Sequence, residues 1–364
     1  MIKKLLIITP IYPPVVGGPA QYIEKLVTKL PKEYQTNIIC LGKENVKQEK
    51  FEQISIYSNP LLRQLKLFIT IWKNLKKADI AYVQGTLTVG FASMIACKLL
   101  GKKYVLKYVG DEVWEKYQSN GGTLFLDEYL ESKKSFFDNI LFNLEKIILA
   151  NAKRVIVPGK YLQQVLAKHF HIKAINIPNA VEIPKIKMLA KKSNSIIYVG
   201  RLVPWKQVDK VLKAFKKLQS KENNKWSLTI AGDGIERENL ERMVNSQKIQ
   251  CVTFTGIISK QKVLNLMCEH EYLVLYSTYE GMSHTLLDGM GLGLKIIASD
   301  ILANRTILKN GRFGKIISLD KSLQLDDAFT QTYTQVMLDG ARDYVTKEHN
   351  WERHLQLLQQ TLNT

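Results

Sequence analysis

Two acidic residues, Glu280 and Asp288, close the run Glu-Gly-Met-Ser-His-Thr-Leu-Leu-Asp at its two ends. The run follows the apolar stretch Tyr272-Leu-Val-Leu-Tyr-Ser277, which reads as a strand, and it opens a helix. Glu280 therefore belongs to the loop at a strand's carboxyl end, and Asp288 lies about one turn into the helix. Backbone N–H groups at a helix start are free to receive a phosphate. Carboxylates on either side of them accept hydrogen bonds from hydroxyls. A phosphate cradle between two hydroxyl-reading acids suits a nucleotide sugar. A second constellation supplies cations: in Val199-Gly-Arg-Leu-Val-Pro-Trp-Lys206, Gly200 ends another strand and is followed by Arg201 and Lys206. Fixed cations at a strand end can neutralise a bound phosphate and stabilise negative charge that develops on it. Arginine offers a planar fork and lysine a point charge.

The elements that position these residues follow from the hydrophobic pattern. Apolar runs of four to eight residues alternate with helical-period segments, the pattern of a parallel α/β sheet. In the first half strands are predicted at Leu5–Thr9, Asn37–Leu41, Ile80–Val83, Tyr104–Tyr108, Arg154–Val157 and Ala174–Ile177. Helices are predicted at Ala20–Leu30, Gln64–Leu75, Val89–Leu100 and Asp138–Ala150. The strand pattern restarts at Ser195–Val199 and continues at Ser227–Ala231, Val252–Thr255, Tyr272–Tyr276, Lys295–Ala298 and Gly314–Ile317. Two α/β domains are implied, joined near Val181–Asn194, where Pro184 and several lysines mark an exposed linker. Tyr344–Leu362 reads as one terminal helix, with Trp351, His354, Leu355 and Leu358 on one face. In Asp288-Gly-Met-Gly-Leu-Gly293 the glycines end a helix rather than open one, which excludes a dinucleotide fingerprint. Gly293 reads as a helix cap and Gly289 and Gly291 as close-packing points.

With these landmarks in order, the chain resembles the family 4 retaining glycosyltransferases of GT-B fold, whose signature is Glu, seven residues, Glu. The resemblance spans nearly the whole chain, with one departure: the second acid is Asp288, a methylene shorter. It implies two Rossmann-like domains facing across a cleft: residues 1–180 for the acceptor, residues 181–340 for the nucleotide sugar, and residues 341–364 as a helix packing back on the first domain. It also assigns roles. Arg201 and Lys206, beside Gly200, clamp the diphosphate. Glu280 holds the donor sugar and Asp288 the ribose. Gly232, in Ile230-Ala-Gly-Asp-Gly234, and Gly256 with Ile257 lie near ribose and base. Gly281, Met282, Ser283, His284 and Thr285 supply the loop on phosphates and sugar. Gly17 and Gly18, in the Pro/Gly loop after the first strand, lie against donor phosphate and acceptor, since glycine permits close backbone approach. Many family members carry a histidine after the fourth strand; here Lys107-Tyr-Val-Gly-Asp-Glu-Val-Trp-Glu115 stands there, and no histidine precedes His169. Asp111 is then the polar group expected at the reaction centre; aspartate is also a favoured helix N-cap, so capping is the competing role. The chain has no Asp-x-Asp, the metal-holding pair of the other main glycosyltransferase architecture. Metal-independent transfer without a cofactor is expected.

Composition narrows the setting. The chain has 364 residues, 46% of them hydrophobic, enough for two ordinary domains. No apolar run approaches a membrane span and no signal peptide is recognised. Cys40, Cys97, Cys251 and Cys268 show no metal spacing and no disulfide framework, which fits a reducing cytoplasm. The net charge is +19 and leans toward the first half, where residues 1–180 carry 26 Lys/Arg against 14 Asp/Glu. No recognition module accompanies that charge, so nucleic acid is not an expected partner. Anionic membrane is, and Leu61–Lys77 is basic and apolar with a tryptophan; a core-facing stripe is the other reading of its apolar residues. The expected function is sugar transfer from a nucleoside diphosphate, UDP before GDP, to a glycan or lipid-linked glycan in bacterial surface polysaccharide assembly at the inner membrane face. The alternatives are a GT-B nucleotide-sugar epimerase or hydrolase, and a non-catalytic nucleotide-sugar-binding or nucleic-acid-binding protein.

Overall fold

Apolar runs become strands here because a parallel sheet covered by helices buries side chains on both faces. A computed structural model describes residues 3–15, 17–57, 59–184, 191–222, 225–329 and 332–363. The chain forms two units: Met1–Tyr117 with Leu126–Pro178 and His354–Thr364, and Gln118–Phe125 with Asn179–Arg353.

The first unit begins with β1 (Lys3–Thr9), α1 (Gly18–Lys29), β2 (Tyr34–Gly42), β3 (Val46–Gln48) and β4 (Phe51–Ser55). It continues with α2 (Pro60–Leu75), β5 (Ile80–Gln84), α3 (Gly90–Leu99), β6 (Lys103–Lys107) and α4 (Glu112–Ser119). Then come α5 (Leu126–Glu131), α6 (Phe136–Asn151), β7 (Arg154–Val157), α7 (Lys160–Val165) and β8 (Ile175–Asn176). The strand order is β3-β4-β2-β1-β5-β6-β7-β8, parallel throughout except for the antiparallel edge strand β3. All five residues of β5 are buried, as expected of a central strand. The β3–β4 pair was not predicted. Half of its residues are charged or amide, so no apolar run marks an edge ribbon with a solvated face.

The second unit contains β9 (Ser195–Val199), α8 (Val208–Lys221), β10 (Ser227–Ala231), α9 (Arg237–Ser246), β11 (Val252–Gly256) and α10 (Lys260–Glu269). After these come β12 (Tyr272–Leu275), α11 (His284–Gly291), β13 (Lys295–Ser299), α12 (Leu302–Ile307), β14 (Lys315–Ile317), α13 (Gln335–Glu348) and the first three residues of α14 (Trp351–Asn363). Its sheet is wholly parallel, in the order β11-β10-β9-β12-β13-β14. A Cβ on Gly289 would stand 2.4 Å from Leu273, and one on Gly291 would stand 2.1 Å from Ile183, so both glycines are close-packing points. Gly293, at φ +68°, follows the end of α11 as a cap.

The single terminal helix predicted over Tyr344–Leu362 is corrected to two. The break lies at His349-Asn350, where His349 Nδ1 meets Asn179 O at 3.0 Å and Val181 N donates to His349 O at 2.9 Å. Asn350 Oδ1 then accepts from Arg353 N at 2.9 Å and starts α14. Side-chain and main-chain bonds to a distant segment override the helical period. From His354 onward α14 belongs to the first unit: His354 Nε2 shares a 2.9 Å hydrogen bond with Tyr22 OH, and Lys3 Nζ donates to Leu362 O at 2.8 Å. The predicted linker over 181–194 falls partly outside the described residues, at 185–190.

Candidate functional site

In the second sheet the chain runs outward from β9 through β10 to β11, then returns to β12 on the other side of β9 and continues the opposite way. The crevice at such a reversal, outside the carboxyl ends of the strands, is where open α/β sheets bind ligands. The loops after β9 and β12 carry Arg201, Lys206 and Glu280. A one-turn helix at Pro204–Lys206 follows β9, and Trp205 O accepts from Thr278 N at 2.8 Å. That bond ties the turn to the end of β12. It brings Lys206 Nζ to 2.5 Å from Glu280 Oε1, with Glu280 only 7% exposed. Ser277 Oγ donates to the same oxygen at 2.7 Å. Oε2 takes no hydrogen bond among the described residues, which leaves it able to accept from a hydroxyl. The Arg201 guanidinium lies 5.5 Å from the ring centre of buried Trp205, a cation–π contact that restricts it.

Behind Glu280 lies a buried polar chain that sequence reasoning missed. Ser299 Oγ donates to Ser277 O at 2.5 Å, and Asn304 Nδ2 donates to Ser299 O at 3.0 Å. Ser277 follows β12, Ser299 ends β13 and Asn304 lies in α12, and they leave no sequence signal beyond a serine at each strand end. Ser283 is the N-cap of α11, its Oγ accepting from Leu286 N at 3.2 Å. His284 and Thr285 form the first turn, half-buried, and Thr285 Oγ1 reaches Val199 O at 3.4 Å. Gly281 is half-buried in the same loop, while Met282 Sδ accepts from Asn179 N at 3.3 Å.

Asp288 is 2% exposed, and its Oδ2 forms an ion pair with Lys260 at the start of α10. Burial pushes its carboxyl upward, with the Lys260 ammonium opposing. Lys260 was not singled out from the sequence, because its partner is distant in the chain. Gly200, Gly232 and Gly256 end three neighbouring strands. Gly232, at φ +151°, leaves only 1.9 Å between a would-be Cβ and Gly200 O, so no side chain fits there. Gly232 also bridges Gly256, beyond which Ile257 is exposed. No group of three or more His, Cys, Asp or Glu among the described residues is arranged for a metal ion.

In the first unit the chain reverses direction between β1 and β5. Gly17 precedes α1 as its N-cap and Gly18 is the first helical residue, on the loop leaving β1. Asp111 follows β6 and is wholly buried. Its Oδ1 accepts from Trp114 N at 2.7 Å, the bond of an N-cap, and Tyr108 OH lies 3.4 Å from Oδ2. Burial raises its pKa to about 6, with the amides of Trp114 and Val113 opposing. Glu112 next to it grips the loop after β5, accepting from Thr86 N at 2.7 Å and Thr88 N at 2.9 Å. Thr86 Oγ1 in turn donates to buried Glu145 Oε1 at 2.5 Å, and burial pushes the Glu145 carboxyl well up. Glu112 and Glu145 were not anticipated as neighbours of Asp111.

Comparison with known proteins identifies the lineage. The family model Glycosyltransferase Family 4 matches residues 16–183, and the model Glycosyl transferases group 1 matches residues 180–352. The chain belongs to these glycosyltransferases. An uncharacterized glycosyltransferase of Methanocaldococcus jannaschii is 22% identical, over 96% of this chain and 95% of that one. The UDP-Gal:alpha-D-GlcNAc-diphosphoundecaprenol alpha-1,3-galactosyltransferase of Escherichia coli is 24% identical, over 87% of this chain and 84% of that one. Among solved structures, Anabaena HepE in complex with UDP and glucose superposes with a TM-score of 0.76, at 15% identity and 99% coverage of both chains. Sucrose-phosphate synthase of Thermosynechococcus elongatus gives 0.75, at 17% identity, covering 99% of this chain and 98% of that one. The glycosyltransferase thus has the GT-B fold, with two mainly parallel sheets. Among the described residues no helix is long and apolar enough to cross a membrane.

Proposed function

We propose that this glycosyltransferase moves a sugar from a nucleoside diphosphate, UDP first and GDP next, to a hydroxyl of a glycan or lipid-linked glycan, with retention at the anomeric carbon. The observation that carries the reading is the Lys206–Glu280 contact of 2.5 Å at the switch point of the second sheet. A cation and a hydroxyl acceptor side by side match the junction where a sugar meets its diphosphate. Arg201 and Lys206 neutralise the diphosphate as the bond from the anomeric carbon to its oxygen breaks. Glu280 holds the sugar's hydroxyls through Oε2. Asp288 takes the ribose with the part of its carboxylate that Lys260 leaves open, and the Gly232 and Gly256–Ile257 turns lie along ribose and base. The acceptor oxygen bonds to the same face of the anomeric carbon, and its proton passes to the departing phosphate oxygen. No enzyme nucleophile and no metal is needed in that sequence. In the first unit Asp111, with Gly17 and Gly18, orients the acceptor hydroxyl. The Escherichia coli relative is named for a diphosphoundecaprenol-linked acceptor, which supports a lipid-linked glycan acceptor here. On that reading the enzyme works in bacterial surface-polysaccharide assembly, in the cytoplasm at the inner membrane face.

Calorimetric titration with UDP, GDP, ADP and CMP, with and without EDTA, tests the donor reading. EDTA-insensitive binding of one nucleoside diphosphate, lost in Arg201→Ala, is expected. Failure of every nucleotide to bind overturns it.

A further inference from the structure

Helix α2 has two apolar faces. Leu67, Ile71 and Leu75 point inward and are fully buried. Leu61, Leu62, Leu65 and Ile69 lie on the other side, and Leu61 is 81% exposed. Exposed Lys66 and Lys73 are interleaved with them, and residues 53–78 contain five Lys/Arg and no acidic residue. The core-facing stripe therefore accounts for only three of the helix's nine large apolar side chains.

A second helix does the same. The N-terminal turn of α6 presents Phe136 and Phe137, 74% and 75% exposed, with Ile140 one turn on and Ile147 further along the same face. Exposed Lys133 precedes them; Asp138 is the one acid in that first turn. Nothing in the predicted core pattern required two adjacent aromatic rings in solvent.

Topology brings the two ends together. Strands β4, β5, β6 and β7 are parallel, so α2, α3 and α6 each return the chain from the carboxyl edge of the sheet toward its amino edge. Helix α2 packs on α3, and α3 packs on α6. The starts of α2 and α6 consequently lie at one edge of the first unit, about 20 Å apart across α3. Both starts are capped by side chains, Asn59 and Ser135, and both turn the positive end of a helix dipole outward. That edge also carries the loops of Gly17, Gly18 and Asp111.

Contiguous exposed apolar area marks an interaction surface. Large apolar side chains mixed with lysines, without acids on α2, complement one surface chemistry: an apolar interior under anionic headgroups. We infer that the outward faces of α2 and α6 together form a two-point docking surface for an anionic lipid bilayer. Leu61, Leu62, Leu65, Phe136 and Phe137 enter the headgroup–acyl boundary, and Lys66, Lys73 and Lys133 pair with lipid phosphates. Two anchors fix an orientation that a single helix would not, holding the acceptor-side loops toward the lipid. The inference rests on the transfer reading only for the acceptor's chemistry; the docking stands on the surface itself.

The test is cosedimentation of the full chain with vesicles of phosphatidylglycerol and phosphatidylethanolamine against vesicles of phosphatidylcholine. Leu61→Ser/Leu65→Ser and Phe136→Ser/Phe137→Ser are compared with the unaltered protein, with UDP calorimetry and thermal midpoints run in parallel. All four side chains are exposed, so the fold and UDP binding should not change. Binding to the anionic vesicles alone, weakened about tenfold by each pair and reduced at high salt, is expected. No binding to anionic vesicles, equal binding to both kinds, or loss from only one pair overturns the two-helix surface. So does a concentration-dependent dimer that both pairs abolish, which would assign the face to a second copy. Loss of UDP binding in the unaltered protein would strike the transfer reading and leave the vesicle result standing.

Discussion

The carboxyl edges of the two sheets handle their acids in opposite ways. In the second unit Glu280 and Asp288 are both buried, and each has a lysine against it, Lys206 and Lys260. In the first unit Asp111 and Glu145 are just as buried, yet among the described residues no ion pair reaches either. Their partners are amides and hydroxyls, and burial raises the pKa of both. A fixed ammonium–carboxylate pair suits a substrate that brings its own phosphate charge, because the site needs little rearrangement as charge develops. A buried acid whose partners are only amides and hydroxyls has no fixed counter-charge, so the protonation of Asp111 changes around pH 6. The outer surfaces differ too: most of the exposed large apolar side chains belong to the first unit.

Lys206→Ala attacks this contrast hardest. It leaves Glu280 without a counter-charge and, on the proposed transfer reading, removes a cation that stabilises the transition state, so sugar transfer should fall about 100- to 1,000-fold, measured as nucleoside diphosphate release. A loss below tenfold would mean that the pair is structural only. Asp111→Asn probes the other side. Asparagine caps helices as well as aspartate does, so α4 should persist. Turnover is expected to fall at least about tenfold with donor affinity little changed; near-normal turnover would reduce Asp111 to its capping bond. The same variant tests the charge state. The folded pKa of about 6 lies above the unfolded value, so the folded state binds the extra proton. Stability from this group is full below about pH 4, falls as pH rises toward 6, and then levels off. Asp111→Asn should flatten that part of a thermal-midpoint profile, whereas an unchanged slope would show that Asp111 does not titrate there. Lys260→Met should have the smallest effect. Lys260 is partly exposed and its pairing is screened, so a stability loss of about 1 kcal/mol is expected. UDP affinity should fall a few-fold, and Lys260→Met/Asp288→Leu should recover stability but not affinity.

The second half was the more legible in the sequence. The strands Ser195–Val199 and Ser227–Ala231 match their predicted bounds: the first is buried on both faces and so is written as an apolar run, and the second alternates buried Leu228 and Ile230 with half-buried Ser227 and Thr229. The turn glycines were visible for a related reason: at Gly232 a neighbouring backbone oxygen excludes any Cβ. Lys260 and Ser299 left no comparable mark, since Asp288 and Ser277 are brought to them by crossovers rather than by spacing; Asn304 meets Ser299 only five residues away, through a turn that no hydrophobic period marks. The β3–β4 ribbon and the break before α14 were missed because edge pairing and a histidine's bond to Asn179 obey no hydrophobic period.

By itself the sequence determined the α/β class, the family, and which loops carry Arg201, Lys206, Glu280 and Asp111. Period-two and period-3.6 burial and the glycines at strand ends are local requirements, and local requirements are written in local residues. Only the tertiary structure decided that Lys206 meets Glu280, that Lys260 meets Asp288, and that Asp111 is wholly buried. It also decided that Leu61 and Phe136, far apart in the chain, share one edge of the first unit. A side chain's charge state and neighbours depend on the strand order around it, and that order emerges only when the whole sheet is assembled.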